Sequence, residues 1–173
     1  MELTDRQLAV SQRYGNSFVL ALADLDLFKT VNDTYGHHAG DRVLRHFSLT
    51  CGKNLRESDI VGRIGGEEFA IMLPNASLAE AQVIIERLRM AVAEADIDVG
   101  QSSPIGVTVS FGLADWFPED SDVNSLLRRA DAALYEAKKN GRNRVCVAKE
   151  EFSPPGERQG QRTLQATSQR GLP

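Results

Sequence analysis

The sequence predicts an α+β fold, a central and mainly antiparallel sheet with helices packed mainly on one face. Three observations carry that expectation. The periodicities run in the order strand, helices, hairpin, helix, strand, helix, strand. Phe18-Val19-Leu20-Ala21-Leu22-Ala23 is an unbroken apolar run, as a strand buried on both faces requires. Ile105, Val107, Val109, Phe111 and Leu113 alternate with small or polar residues, the period of a strand with one apolar face.

Taken in order, Leu3 to Tyr14 reads as the end of a helix, broken at Gly15-Asn16-Ser17. The first strand ends abruptly in Asp24-Leu25-Asp26, and strand alternation puts both aspartates on one side. Leu27 to Tyr35 reads as a short helical segment and Gly36 to Gly40 as a loop. A longer helix is expected from Asp41 to about Leu55, with Val43, Leu44, Phe47 and Cys51 inward and Asp41 as an N-cap or a ligand-facing carboxylate. Arg56-Glu57-Ser58-Asp59 then turns the chain into a strand carrying Ile60, Val61 and Ile64. Gly65-Gly66 joins it to Ala70-Ile71-Met72-Leu73 as a tight hairpin, for which a primed turn with positive φ is expected. Ser77 and Glu80 form a capping box before a helix with Ala81, Ile84, Ile85, Leu88 and Val92 on one face. Ile97 to Ser103 is loop or weak edge strand, and Trp116 to Asp120 is loop. A last helix from near Asp122 carries Leu126, Leu127, Ala130, Leu134 and Ala137 and stops at Asn140-Gly141. Arg144 to Val147 is a short strand, and the Pro-, Gly-, Gln- and Ser-rich residues from Glu150 onward are expected to be a disordered tail.

Length and composition narrow the function classes. With 173 residues, 42% hydrophobic and 25% charged, the chain suits one globular domain. A net charge of −4 argues against a general nucleic-acid or anionic-membrane surface. No apolar run approaches the roughly 20 residues that span a bilayer. The acidic start, Met1 to Asp5, lacks the basic residues and apolar stretch of a secretory signal, so a cytoplasmic location is expected. Cys51 and Cys146 make neither a disulfide framework nor a metal cluster, and both are expected to be buried thiols.

The hairpin and the first strand carry the chemistry. Glu67-Glu68 crowds two like charges beside a turn, which costs free energy unless a cation offsets them. In an antiparallel sheet, Asp24 and Glu67 are able to face each other across adjacent strands. Carboxylates converging at a sheet edge suit Mg²⁺ or Mn²⁺ and, with phosphates present, in-line displacement at phosphorus. Lys29 near a helix start offers a phosphate donor. Lys138 and Arg142, four apart at the end of the last helix, share a face and either complement the helix C-terminus or bind phosphate. Asn32 and Asp41 supply the mixed donors and acceptors that a guanine edge requires. His37 and His38 read as surface loop residues, since no third His or Cys stands at ligand spacing.

Four ordered blocks resemble one family. Asp24 to Asp33, Gly36-His37 through Gly40-Asp41, the Gly65–Phe69 hairpin, and Tyr135 to Lys138 through Gly141-Arg142-Asn143 are similar to the GGDEF domain, the catalytic domain of diguanylate cyclases. The resemblance covers roughly Phe18 to Val147 and carries the GGEEF variant of the family motif. It implies a palm-like nucleotidyl-cyclase fold with a ferredoxin-like core, and metal-dependent condensation of two GTP into cyclic di-GMP plus two pyrophosphates by a homodimer. By resemblance, Asp24, the Leu25 carbonyl and Glu67 hold Mg²⁺ or Mn²⁺. Glu67 also serves as the base for the 3′-hydroxyl, Glu68 supports the metal or hairpin, and Lys29 stabilises the transition state. Phe28, Asn32, His37 and Asp41 lie at the guanine and its surroundings, while Lys29, Lys138 and Arg142 take phosphates. Arg56-Glu57-Ser58-Asp59, five residues before Gly65, looks like the family's inhibitory product site, RxxD, in which Arg56 forks onto phosphate or guanine and Asp59 accepts from guanine.

The resemblance implies a catalytic domain over residues 1–149, lacking the family's usual N-terminal start segment and any preceding sensory domain, followed by the 150–173 tail. Two other readings compete: a non-catalytic cyclic di-GMP or GTP receptor (or an inactive truncated cyclase), and a palm-like nucleotidyl transferase acting on another nucleotide or on nucleic acid. An intact Asp24, Glu67 and Lys29 count against the receptor. The acidic balance counts against polymer binding.

Overall fold

The computed structural model describes residues 18–116 and 123–148. The expected helix over Leu3–Tyr14, most of the loop at Trp116–Asp120 and the tail lie outside the described residues. Five strands form one sheet in the order β2-β3-β1-β4-β5. β1 (Phe18–Leu25) is its axis, antiparallel to β3 (Glu68–Pro74) on one side and to β4 (Val109–Asp115) on the other. β2 (Ile60–Arg63) pairs antiparallel with β3, and β5 (Val145–Val147) pairs parallel with β4 at the opposite edge. The helices are α1 (Phe28–Tyr35), α2 (His37–Asn54), α3 (Leu78–Ala93) and α4 (Val123–Lys139).

Every residue of β1 is buried, and its two faces enter different cores. Val19, Ala21, Ala23 and Leu25 pack with Val43, Phe47 and Cys51 of α2 and with Ile84, Ile85 and Leu88 of α3. Phe18, Leu20 and Leu22 pack with Met72, Trp116 and the Leu126, Ala130 and Leu134 stripe of α4. Among the described residues helices cover both faces, α1, α2 and α3 on one and α4 on the other, so they lie mainly on one face as expected. A strand apolar on both sides leaves no face for water, so a second cover is obligatory. The Phe18 and Trp116 rings stack at 5.5 Å on the α4 side, and Phe47 and Phe69 meet at 4.6 Å on the other.

Other boundaries differ in instructive ways. The alternating run expected from Ile105 becomes a strand only at Val109, with Ile105 bridged to Ile97. β4 is buried on both faces rather than half-buried, because its small residues receive α4. A Cβ at Gly112 would overlap the Ala130 carbonyl and the Leu134 backbone nitrogen, so glycine sets how closely helix and strand approach. α2 begins at His37, four residues before the expected start, which places Asp41 in its second turn; the N-cap is Gly36, and residues 37–40 are helix rather than loop. The Ser77–Glu80 capping box forms as expected, with Glu80 N bonded to Ser77 Oγ at 3.3 Å and Ser77 N to Glu80 Oε2 at 2.9 Å. Cys51 is buried and Cys146 half-buried, and both are free thiols. Burial pushes the Cys51 thiol up to about 12, so it stays protonated and inert.

Candidate active site

The ends of β1 and β3 and the C-terminal end of α4 meet at one place. The β2–β3 loop has four residues, 64–67, closed by Ile64 N to Glu68 O at 2.9 Å and Gly65 N to Glu68 O at 3.3 Å. Neither Gly65 nor Gly66 has positive φ, which corrects the primed-turn expectation; longer hairpin loops are built around turns with negative φ. Arg63 clasps the loop through Nε to Gly65 O at 3.0 Å and Nη2 to Gly66 O at 2.7 Å. The loop docks on β1 through Leu25 N to Glu67 O at 3.2 Å, and Glu68 stands opposite Asp24 in the strand register.

Asp24 is buried at the end of β1, and its Oδ2 lies 2.6 Å from Lys138 Nζ near the end of α4. Glu67 is half-buried beside this pair. Burial pushes its carboxyl above the ordinary value, the Asp24 charge pushes it further, and Lys138 pulls it back, with Glu68 a further raising influence. Two carboxylates that repel each other beside a single ammonium form a site short of positive charge.

Asp26 shares the Asp24 side of the chain but has a different occupation. Its Oδ1 accepts from Ser110 Oγ at 2.7 Å, and its Oδ2 accepts from Thr108 Oγ1 at 2.7 Å and from the Asn143 backbone N–H at 3.0 Å. These partners lie 82, 84 and 117 residues away in sequence, so residue patterns gave no sign of them.

The remaining predicted residues surround this centre. Phe28 is buried at the start of α1, followed by exposed Lys29, and Asn32 is half-buried on the same helix. A Cβ at Gly40 would overlap the Asn32 amide and crowd the Phe28 ring, so this glycine lets α2 lie against that pair. His37, His38 and Asp41 are exposed on α2. Asp41 lines a cavity of about 560 Å³ with Leu44, Arg45, Ser48, Asp59 and Arg63 among its walls. Arg142 lies beyond the end of α4 in a left-handed conformation, φ 60°, so it does not share a helix face with Lys138. The Asp59 carboxylate accepts from the Arg56 backbone N–H at 2.8 Å, forming a turn that leads into β2 with the Arg56 side chain exposed.

Among the described residues no group of three or more His, Cys, Asp or Glu is arranged to hold a metal ion. The donors present nevertheless fit a hard divalent cation, which needs one or two carboxylates and a backbone carbonyl and takes its other oxygens from phosphates and water. Asp24 and Glu67 would supply the carboxylates and the strand end at Leu25 the carbonyl. Asp24 already binds a positive charge there, that of Lys138.

A family model described as "Diguanylate cyclase, GGDEF domain" matches residues 2–144. The chain belongs to the GGDEF domain family. Among curated relatives, this GGDEF domain is 46% identical over 131 residues to YhcK of Bacillus subtilis, covering 76% of this chain and 36% of that protein. It is 42% identical over 130 residues to diguanylate cyclase A of Treponema denticola, covering 75% of this chain and 35% of that one. With the response regulator PleD of Caulobacter vibrioides it shares 42% over 132 residues, 76% of this chain and 29% of that one. The match thus spans about a third of the length of these relatives. Among solved structures, the GGDEF domain of DgcB from Caulobacter crescentus in complex with c-di-GMP superposes with a TM-score of 0.78 at 36% identity, over 83% of this chain and 85% of that one. The active GGEEF domain of a diguanylate cyclase from Vibrio cholerae gives 0.78 at 32% identity, over 84% and 91%. No helix among the described residues is long and apolar enough to cross a membrane.

Proposed function

We propose that this GGDEF domain condenses two GTP into cyclic di-GMP with release of two pyrophosphates, each of two chains holding one GTP and the pair meeting about a two-fold axis. The observation that carries the reading is the meeting of Asp24, Glu67 and Lys138 at the ends of β1, β3 and α4, with the Glu67 carboxyl raised by burial and by Asp24. Asp24, the Leu25 carbonyl and Glu67 hold Mg²⁺ or Mn²⁺. An ion held there would supply charge neutralisation at the phosphates and a lower pKa for the attacking hydroxyl.

The chain's own residues do the rest. Glu67, beside Asp24 and Lys138, accepts the proton of the 3′-hydroxyl. Glu68 supports the hairpin opposite Asp24. Lys29, Lys138 and Arg142 bind the phosphates, and Lys29 stabilises charge as the pyrophosphate leaves. Asn32 and Asp41 read the guanine edge, with Phe28 and His37 bounding that end. Arg56 and Asp59, in the turn that leads into the edge strand β2, bind cyclic di-GMP and slow turnover.

The test is incubation of the purified chain with GTP and Mg²⁺, with the nucleotides resolved by chromatography. Cyclic di-GMP made by the parent and absent with Glu67→Ala is the expected result. Preferential consumption of ATP or extension of a primer would sink the reading, as would binding of cyclic di-GMP without turnover.

A further inference from the structure

Asn143 is gripped from two sides, and the residue before it is Arg142. Its backbone N–H donates to Asp26 Oδ2 at 3.0 Å, and its side-chain Oδ1 accepts from Arg89 Nη1 at 2.5 Å. Both grips are themselves braced. Asp26 is buried and fixed by the Thr108 and Ser110 hydroxyls, each at 2.7 Å. Arg89, on α3, is held by Glu86 through Nε at 3.0 Å and Nη2 at 2.7 Å. Arg142 and Asn143 occupy the left-handed region in succession, φ 60° and 46°. Neither is glycine, and such conformations persist only where the surroundings over-determine them. We propose that Asp26, Asn143 and Arg89 form a positioning chain that imposes this loop conformation and thereby fixes where Arg142 meets the substrate phosphates. The proposal rests on the reading of Arg142 as a phosphate ligand.

The peptide groups around Arg142 are pinned on each side. Its own N–H bonds Ala137 O at 3.1 Å, and its carbonyl accepts from Arg144 Nε at 3.0 Å. Releasing Asn143 lets residues 142–143 return to commoner backbone angles and changes the direction in which the exposed Arg142 side chain leaves the loop. The bidentate Glu86–Arg89 pair is largely shielded at Arg89, 15% of whose side chain is exposed. The further bond from Nη1 to Asn143 is what extends it to the loop, across 54 residues of sequence.

The test uses the whole chain. Arg89→Ala removes the outer grip at a side chain of which 15% is exposed, and Asp26→Asn replaces an acceptor facing the Asn143 N–H with an amide. Hydrogen exchange at the Arg142 and Asn143 amides should quicken in Arg89→Ala while β1 and β4 exchange as in the parent. Unchanged exchange in the loop overturns the proposal, whatever the chain does with GTP. In turnover, Arg89→Ala should raise KM for GTP roughly five- to ten-fold with kcat changed less than about two-fold, and Asp26→Asn should act in the same direction. Made on top of Arg142→Ala, Arg89→Ala should add nothing, since its effect passes through Arg142. An undiminished loss in that background assigns Arg89 a general structural role and refutes the chain. A parent that does not consume GTP sinks the substrate reading instead, and the exchange measurement then decides the positioning chain alone.

Discussion

Replacing Lys138 by Met keeps the aliphatic stem and removes the ammonium from Asp24. Nζ and Oδ2 are 2.6 Å apart, with 34% of the Lys138 side chain and 8% of the Asp24 side chain exposed. At that separation the gross attraction is about 6 kcal/mol for an effective dielectric of about 20. Desolvation of the two ions offsets much of it. The variant loses something different, because Asp24 stays buried without its counter-charge. Breaking a buried pair from one side costs about 3–5 kcal/mol. Solvent at the exposed third of Lys138 reduces this to about 2 kcal/mol, or about 4–8 °C in Tm for a chain of this length. Urea and thermal unfolding in metal-free buffer measure it. In an Asp24→Asn background, Lys138→Met should cost less than about 0.5 kcal/mol, since the charge it served is gone. Excess Mg²⁺ should narrow the gap between parent and variant by supplying positive charge to the same carboxylate. Equal losses with and without the Asp24→Asn substitution would refute the reasoning, as would a parent-like Lys138→Met in metal-free buffer.

Glu67 gives a pH signature. Folding raises its carboxyl above the ordinary 4.5, so the folded chain keeps this proton to higher pH than the unfolded chain. Its contribution to stability is fullest below the ordinary value and declines as pH climbs through the raised one. Glu67→Gln should flatten that decline in metal-free buffer and be at least as stable as the parent at neutral pH, while cyclic di-GMP synthesis is lost; a steeper decline would contradict the assignment. Gly112→Ala should destabilise by about 2–3 kcal/mol, read from the urea midpoint, because the added methyl must displace α4 backbone at Ala130 and Leu134. A neutral result would mean that α4 has room to retreat. Arg56→Ala should leave initial turnover intact and raise the cyclic di-GMP concentration that slows it; unchanged inhibition removes Arg56 from the product site.

The parts of the fold legible in the sequence are those set by local pattern. Phe18 to Ala23 announced a strand covered on both sides, and the single helix α4 supplies the second cover opposite the other three. Ser110, Gly112 and Ala114 read as the open face of a strand because they are small or polar. In the structure Gly112 and Ala114 are small because α4 lies on them, while Ser110 bonds Asp26, and residue type alone does not separate a face made for water from one made for close helix contact. Gly36 and Gly40 read as loop residues on the same local grounds, whereas Gly40 is helical and makes space for Asn32. In the site, Asp24 and Glu67 were legible as charges without an evident local partner, whereas Lys138 also read as a complement to its own helix C-terminus. Asp26 was legible only as a second aspartate, since all three of its partners come from distant segments.

Asp24 and Asp26 show why two like residues at one strand end do different work. Three neutral donors, two hydroxyls and one backbone N–H, occupy Asp26. None of them carries a charge that an incoming cation replaces, so drawing Asp26 toward a metal would strip buried partners without equivalent gain. Asp24 is bound by one ammonium at the end of a flexible stem, a third of it already in solvent. Exchanging that ammonium for another cation keeps the carboxylate compensated throughout, so the exchange is cheap at Asp24 and costly at Asp26. The displaced Lys138 is then a cation at the mouth of the site when a triphosphate arrives. In the proposed reaction the same side chain thus guards Asp24 in the empty domain and meets phosphate in the loaded one, a role that depends on Asp26 staying where its neutral partners hold it.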